Sequence, residues 1–440
     1  VPRLVVTMSL PIMLSMLISA VYNLVDSVYV AQYSDEAFLA LSYAYPIQML
    51  LVAFCSGIGV GFSAIFSRRL GEGDQEQAAS AVCHGFFLYG LCWLLFLLFA
   101  LTGAAPFLRL STEDPSVARQ GAQYLLICCG LSIGTCMQFL TERILQAMGR
   151  PAGFMIVQGS GAILNLILDP IFIFVLDLGV AGAAAATVIG QISGALIGFW
   201  LVYRLRRQLP IRLRGFRPRG EMLAEMGRVA APAVVMQSLS SFMSLGLNQL
   251  LTLWSDTAVF VLGVYFKIQS FVFMPIFGVN SGLIPILSYN YGAKSAPRLS
   301  QAVRFGAQLA LSAAVAGAVL LALAAGPLLR YCFHAGGAAA AMGVPALRMA
   351  ALSFPIAAVS IILSAAFQSL GHSGSSLLIA LLRQILLLLP IAALLLWLAP
   401  DSVWLSFLIA EAITCVATLL LYRRTVRPLI AALADSDSSR

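Results

Sequence analysis

Charge is scarce in this chain. Only 10% of its 440 residues are Asp, Glu, Lys or Arg, while 60% are hydrophobic. A soluble domain carries about 25% charged residues, so there is too little charge here to cover a soluble surface. Histidine is nearly absent too. His84, His334 and His372 lie far apart, and no H-x-x-x-H, nucleophile elbow or metal motif occurs. An enzyme is not expected, and no cofactor is implied. The eight cysteines make no C-x-x-C pair, and nearly all sit in apolar runs, where cysteine behaves as a small hydrophobe. Neither a disulfide nor a metal role is expected of them. The ten-residue alternating segments of a β-barrel are also missing.

What the chain does have is long apolar runs. A membrane-spanning helix needs ~20 mostly apolar residues. Twelve runs qualify, at 5–33, 37–66, 80–103, 119–145, 153–176, 180–203, 226–253, 257–288, 302–327, 345–369, 375–398 and 402–422. The first is too long for a signal-peptide core and lacks a small-residue cleavage site, so it reads as a span. The expected class is an all-α polytopic membrane protein.

An even span count places both termini on one side of the bilayer. The net charge of +8 is distributed accordingly. Arg3, Arg68, Arg69, an arginine-rich stretch within 204–228, and Arg423, Arg424 and Arg427 share the terminal side. The opposite loops hold only Arg109, Arg119, Arg330 and Arg348. This bias places both termini and the central loop in the cytoplasm, with the chain in the plasma membrane. The basic residues thus report topology, and no nucleic-acid partner is implied.

The halves repeat. "LPIMLS" aligns with "APAVVM" at an offset of 221, matching Pro11 with Pro232. "SRRLGEGDQEQAA" aligns with "SYNYGAKSAPRLS" at the same offset, matching Ser67 with Ser288 and Gly71 with Gly292. "RILQAMGRP" aligns with "AAFQSLGHS", matching Gln146 with Gln368 and Gly149 with Gly371. A first lobe of six spans over 1–203, a cytoplasmic linker over 204–225, a second lobe over 226–422 and a tail over 423–440 are expected. Parallel repeats of this kind build transporters that bind substrate between their halves.

Some spans contain polar groups. A carboxylate at a span centre costs ~2.5–3.5 kcal/mol on insertion scales, and by default marks function. Asp26 lies in the first run, with Tyr22 and Asn23 on the same helical face. Asn165 and Asp169 in the fifth run are four apart and share a face. Pro170 leaves a carbonyl one turn back without its donor and can bend the helix. Two carboxylates, an amide and a hydroxyl are oxygen donors that suit Na⁺ or a shared proton. Two nearby acids in low dielectric do not readily both ionise. Glu142 and Arg143 read as an interfacial ion pair. Glu411 stands alone in span twelve, and the mid-span bases Lys267 and Arg383 can pair with it.

"LPIMLSMLISAVYNLVDSVYVAQ", "RRLGEGDQEQA", "LQAMGRP", "RQILLLLP" and above all "KIQSFVFMPIFGVNSGLIPILSYNYGAK" resemble the MATE family, multidrug and toxic-compound extrusion transporters, over the whole chain. The resemblance implies two six-helix lobes related by a pseudo-two-fold axis. It implies a secondary antiporter exporting amphipathic or cationic drugs in exchange for H⁺ or Na⁺. In the DinF-like branch an Asp of span one, an Asn and an Asp of span five and a Thr of span six hold the coupling cation. Those positions here are Asp26, Asn165, Asp169 and Thr187. The NorM-like branch instead uses acids of the second half, including one in span seven; span seven here has none. Substrate-cleft candidates are Met137, Phe139, Gln237, Phe242, Met243, Lys267 and Glu411, with Tyr22, Tyr29 and Met236 as further apolar contacts. Pro11 and Pro170 are candidate hinges. A monomer in the lipid bilayer is expected. The alternative is an exporter of lipid-linked oligosaccharides from the same superfamily.

Overall fold

The protein is described here from a computed structural model covering residues 1–205, 216–332 and 337–438. At positions 20, 22–24, 27, 28, 31, 35, 38, 256, 332, 338 and 435–438 only the backbone is described. Every regular element among the described residues is helical. In chain order they are α1 (Pro2–Tyr33), α2 (Asp35–Gly71), α3 (Gln75–Thr102), α4 (Ala104–Ser111), α5 (Pro115–Gly130), α6 (Ile133–Ala147), α7 (Pro151–Pro170) and α8 (Gly179–Arg204). The second half supplies α9 (Gly220–Thr252), α10 (Asp256–Gly292), α11 (Ala296–Pro327), α12 (Gly337–Ala351), α13 (Phe354–Ser369), α14 (Ser373–Leu381), α15 (Leu388–Leu398) and α16 (Leu405–Ser438). Short π-helical segments follow Pro170 (Ile171–Val175) and join α14 to α15 (Leu382–Leu386). Among the described residues ten helices are long and apolar enough to span a membrane, and twelve spans result when each bent pair counts as one.

Those bent pairs are matched. α5 and α6 bend by 43° about residues 131–132, and α12 and α13 by 42° about residues 352–353, which is 221 positions later. Helix starts match as well. Ser34 caps α2 by accepting from the Ala37 N–H, and Ser255 caps α10 by accepting from the Thr257 N–H. The turn after α2 places Gly73 at φ +78°, and its counterpart Lys294 sits at φ +55°. Gly149 and Gly371, matched in sequence, are both left-handed, at φ +72° and +84°. The glycine match thus has a backbone cause, because other residues disfavour that conformation.

The chain forms two compact units, Leu14–Val234 and Val1–Met13 with Val235–Arg440. The dividing points therefore fall inside α1 and α9, 221 residues apart, rather than in the linker between residues 203 and 226. Close packing explains the division. In the N-terminal unit, a Cβ on Gly57 of α2 would collide with the Val234 side chain, and one on Gly61 would lie 2.6 Å from the Met226 carbonyl. In the other unit a Cβ on Gly278 of α10 would collide with Met13, and one on Gly282 would lie 2.8 Å from Ser9 Oγ. Each unit thus seats the opening half of the other repeat's first span in a groove made by two glycines one turn apart. Pro11 and Pro232 lie beside these division points.

Two expected boundaries move. α9 starts at Gly220, inside the expected linker, and α16 runs to Ser438, through the expected tail. Hydropathy marks where a helix leaves the apolar run, not where its backbone hydrogen bonding ends. Linker residues 206–215 lie outside the described residues. The end of the linker is anchored: His84, fully buried in α3, accepts from the Arg219 N–H at 2.8 Å and stacks edge-on with Phe216.

Candidate functional site

Within the N-terminal unit α7 and α8 meet through glycines. A Cβ on Gly161 would lie 2.8 Å from the Gly190 carbonyl, and one on Gly190 2.6 Å from the Gly161 carbonyl. This approach brings Thr187 of α8 against Asn165 of α7. Asn165 Nδ2 donates to Thr187 Oγ1 at 3.3 Å and to Asp169 Oδ1 at 3.2 Å, one helical turn away. The carboxyls of Asp26 and Asp169 are close neighbours, which brings α1 against α7. Two neighbouring carboxyl groups in an apolar interior do not readily both carry charge. Asn165 is 3% exposed, Asp169 0% and Asp26 9%.

These residues leave three buried oxygens without a hydrogen-bond donor among the described residues: Asp26 Oδ1, Asn165 Oδ1 and Asp169 Oδ2. An unsatisfied polar group in an apolar interior costs several kcal/mol. Three such acceptors of hard oxygen type, two of them on carboxyls, match what a proton or a small hard cation needs. The four residues of the family pattern, Asp26, Asn165, Asp169 and Thr187, are therefore together. The side chains of Tyr22 and Asn23 lie outside the described residues.

Two features frame this cluster. Pro170 ends α7 directly after Asp169, and the backbone continues as the π-helical segment Ile171–Val175, a departure common at functional sites. Toward the end of α1, Tyr33 donates to Asp177 Oδ1 at 2.9 Å, and Tyr29 and Tyr33 pack on Phe174 of that segment. Tyr29 thus packs against its own lobe.

Other sequence candidates scatter. Met137 and Phe139 pack against the core of the N-terminal unit. In the other unit Gln237, Phe242 and Lys267 are exposed and Met243 is half-buried. Arg383 Nε and Glu411 Oε1 form an ion pair at 3.4 Å, with both side chains mostly covered.

The expected Glu142–Arg143 pair does not form. Glu142 accepts from Gln138 Nε2 at 2.9 Å, while Arg143 donates to Gln146 Oε1 at 2.9 Å. Adjacent helical residues point in different directions, so i,i+1 charges do not face each other. Both lie deep in the N-terminal unit, not at its edge. Glu142 is thus a further buried acid that sequence order obscured. Gln138 four residues earlier was the available signal.

A family model described as MatE matches residues 11–171 and 232–394. The chain is 28% identical to the multidrug export protein MepA of Staphylococcus aureus MRSA252 over 288 residues, 64% of this chain and 63% of that protein. The match thus spans less than two thirds of that relative's length. MepA of Staphylococcus saprophyticus is 25% identical over 421 residues, 94% of this chain and 91% of that protein. Among solved structures, one described as the outward-facing conformation of a multidrug resistance MATE family transporter superposes with a TM-score of 0.91 at 25% identity, covering 99% of this chain and 97% of that one. A MOP superfamily transporter from Pyrococcus furiosus gives a TM-score of 0.90 at 24% identity, covering 98% and 96%. The two stretches matched by the family model begin 221 residues apart, at the same spacing as the bent spans and the glycine grooves; this chain belongs to the MATE family.

Proposed function

We propose that this protein is a cation-driven exporter of small amphipathic or cationic molecules, with Asp26, Asn165, Asp169 and Thr187 as its coupling site. The Asp26–Asp169 contact carries the reading. It brings spans one and five together through two buried acids that stay side by side only while a proton, or a cation in its place, sits with them. Loss of that cation leaves two like charges in an apolar interior, and they separate. Occupancy thereby changes how α1 packs on α7. Pro11 and Pro170, each in or at the end of one of those helices, are the hinges. Coupling requires that cation and exported molecule prefer different states of the carrier. Both termini are cytoplasmic in this reading, and the protein acts in the plasma membrane.

The exported class follows the multidrug export described for the MepA relatives. Gln237, Phe242, Met243 and Lys267 are the substrate candidates of the C-terminal unit. Export of lipid-linked sugars is disfavoured, because it favours a strongly basic cavity and most of the arginines here fall in the loops read as cytoplasmic. The deciding experiment is ethidium transport in proteoliposomes under a Na⁺ gradient and, separately, a pH gradient. The gradient that drives transport names the ion. Dye transport with neither gradient coupled removes the reading.

A further inference from the structure

The cysteines assemble where none was expected to matter. Cys55 of α2, Cys92 of α3 and Cys136 of α6 are all buried, and their three sulfurs lie within 4.8 Å of one another. Cys55 Sγ and Cys136 Sγ are 3.8 Å apart. A metal holding thiolates at ~2.3 Å separates their sulfurs by ~3.8–4.0 Å. The three come from spans two, three and four, with sequence separations that hid them.

We propose that Cys55, Cys92 and Cys136 form a three-sulfur binding site for a soft cation, Cu(I), inside the N-terminal unit. The donor set selects softness, because thiolates favour Cu(I) over hard ions. The coordination number selects further. Structural Zn²⁺ is almost always four-coordinate, and no fourth His, Cys, Asp or Glu atom joins the group among the described residues. Cu(I) is content with three ligands.

The surroundings fit a negatively charged complex. Tyr89 donates to the Cys55 carbonyl at 2.9 Å, and a Cβ on Gly59 would lie 2.9 Å from both Tyr89 Oη and Arg143 Nε. Arg143 therefore lies beside Gly59, one turn along α2 from Cys55. It is only 7% exposed, and its Nε has no partner among the described residues. A buried guanidinium with an unused donor offsets the charge that thiolates acquire when the metal displaces their protons. The site is separate from the coupling cluster, since it shares neither residues nor helices with it.

The test titrates tag-free full-length protein in detergent with Cu(I) held by bicinchoninate, following loss of the chelator complex. One Cu(I) per chain is expected, with affinity reduced at least tenfold in Cys55→Ser, Cys92→Ser and Cys136→Ser and unchanged in Cys415→Ser. Should a variant fail to fold, X-ray absorption at the copper edge of the wild type decides, because a sulfur-only shell is required. No copper uptake, uptake retained in the triple variant, nitrogen or oxygen ligands, or equal affinity for Zn²⁺ would each overturn the proposal.

Discussion

Arg69 Nη2 and Glu225 Oε2, 156 residues apart in sequence, are 2.9 Å apart in space. Arg69 also holds Glu72 at 3.1 Å, and Arg68 reaches Glu72 at 3.2 Å and Glu225 at 3.6 Å. The four charges bind the end of α2 to the start of α9 beside the Gly57–Gly61 groove. All are partly exposed, so each pair contributes only about 0.2–1 kcal/mol, and less at high salt. Glu225→Arg should speed amide hydrogen exchange over the first turns of α9, and Arg69→Glu in the same chain should restore protection. Equal exchange in both would show that the glycine groove alone holds the helix.

Asp26→Asn and Asp169→Asn should each reduce gradient-driven dye transport at least tenfold, a change of about 1.4 kcal/mol, while dye binding persists. An amide resembles the protonated acid in shape and removes the like-charge repulsion, so both variants should remain folded. Asn165→Ala should weaken ion dependence less, because it removes an oxygen without removing a carboxyl. Equilibrium dye binding and proteoliposome transport, measured side by side, separate coupling from folding.

The ion pair of the C-terminal unit makes a different forecast. Glu411→Gln leaves Arg383 mostly covered and without its acid, at about 2–3 kcal/mol once partial exposure is allowed for. Arg383→Met with Glu411→Leu should recover most of that loss, since apolar replacement of a covered pair is often neutral. Thermal unfolding in detergent provides the comparison. If Glu411→Gln abolishes transport at unchanged stability, the pair belongs to the transport cycle.

The matched turns predict opposite outcomes at equivalent positions. Lys294 holds φ +55° with a side chain, and Gly73 holds φ +78° without one. Lys294→Gly should stabilise, and Gly73→Ala destabilise, each by about 1 kcal/mol. Nothing lies within 4 Å of a Cβ on Gly73, so backbone conformation alone drives the change. Melting temperatures of the two variants check it.

Membrane class, span count and duplication were legible because they rest on long averages: apolar run lengths, loop charge, and a register repeated many times. The coupling cluster was legible in part. Asn165 and Asp169 announce themselves by four-residue spacing on one helix. Thr187 was visible only through family resemblance, since its partner lies on another helix across a glycine crossing. What stayed hidden depends on contacts between distant segments. Cys55, Cys92 and Cys136 looked like three separate small hydrophobes. Glu142 and Arg143 looked paired because they are neighbours in sequence, and the helix turns them apart. The division of α1 at Met13 was invisible because hydropathy does not change there.

That division bears on biosynthesis. When the ribosome has completed α8, the groove at Gly57 and Gly61 still waits for residues 226–234, which have not been made. The opening residues of α1 wait longer, until α10 emerges with Gly278 and Gly282. Neither unit can finish folding on its own half of the message. A nascent chain halted in the linker therefore exposes a glycine-lined furrow to lipid or to quality control, and residues 1–13, made before α2, are seated only once α10 has followed.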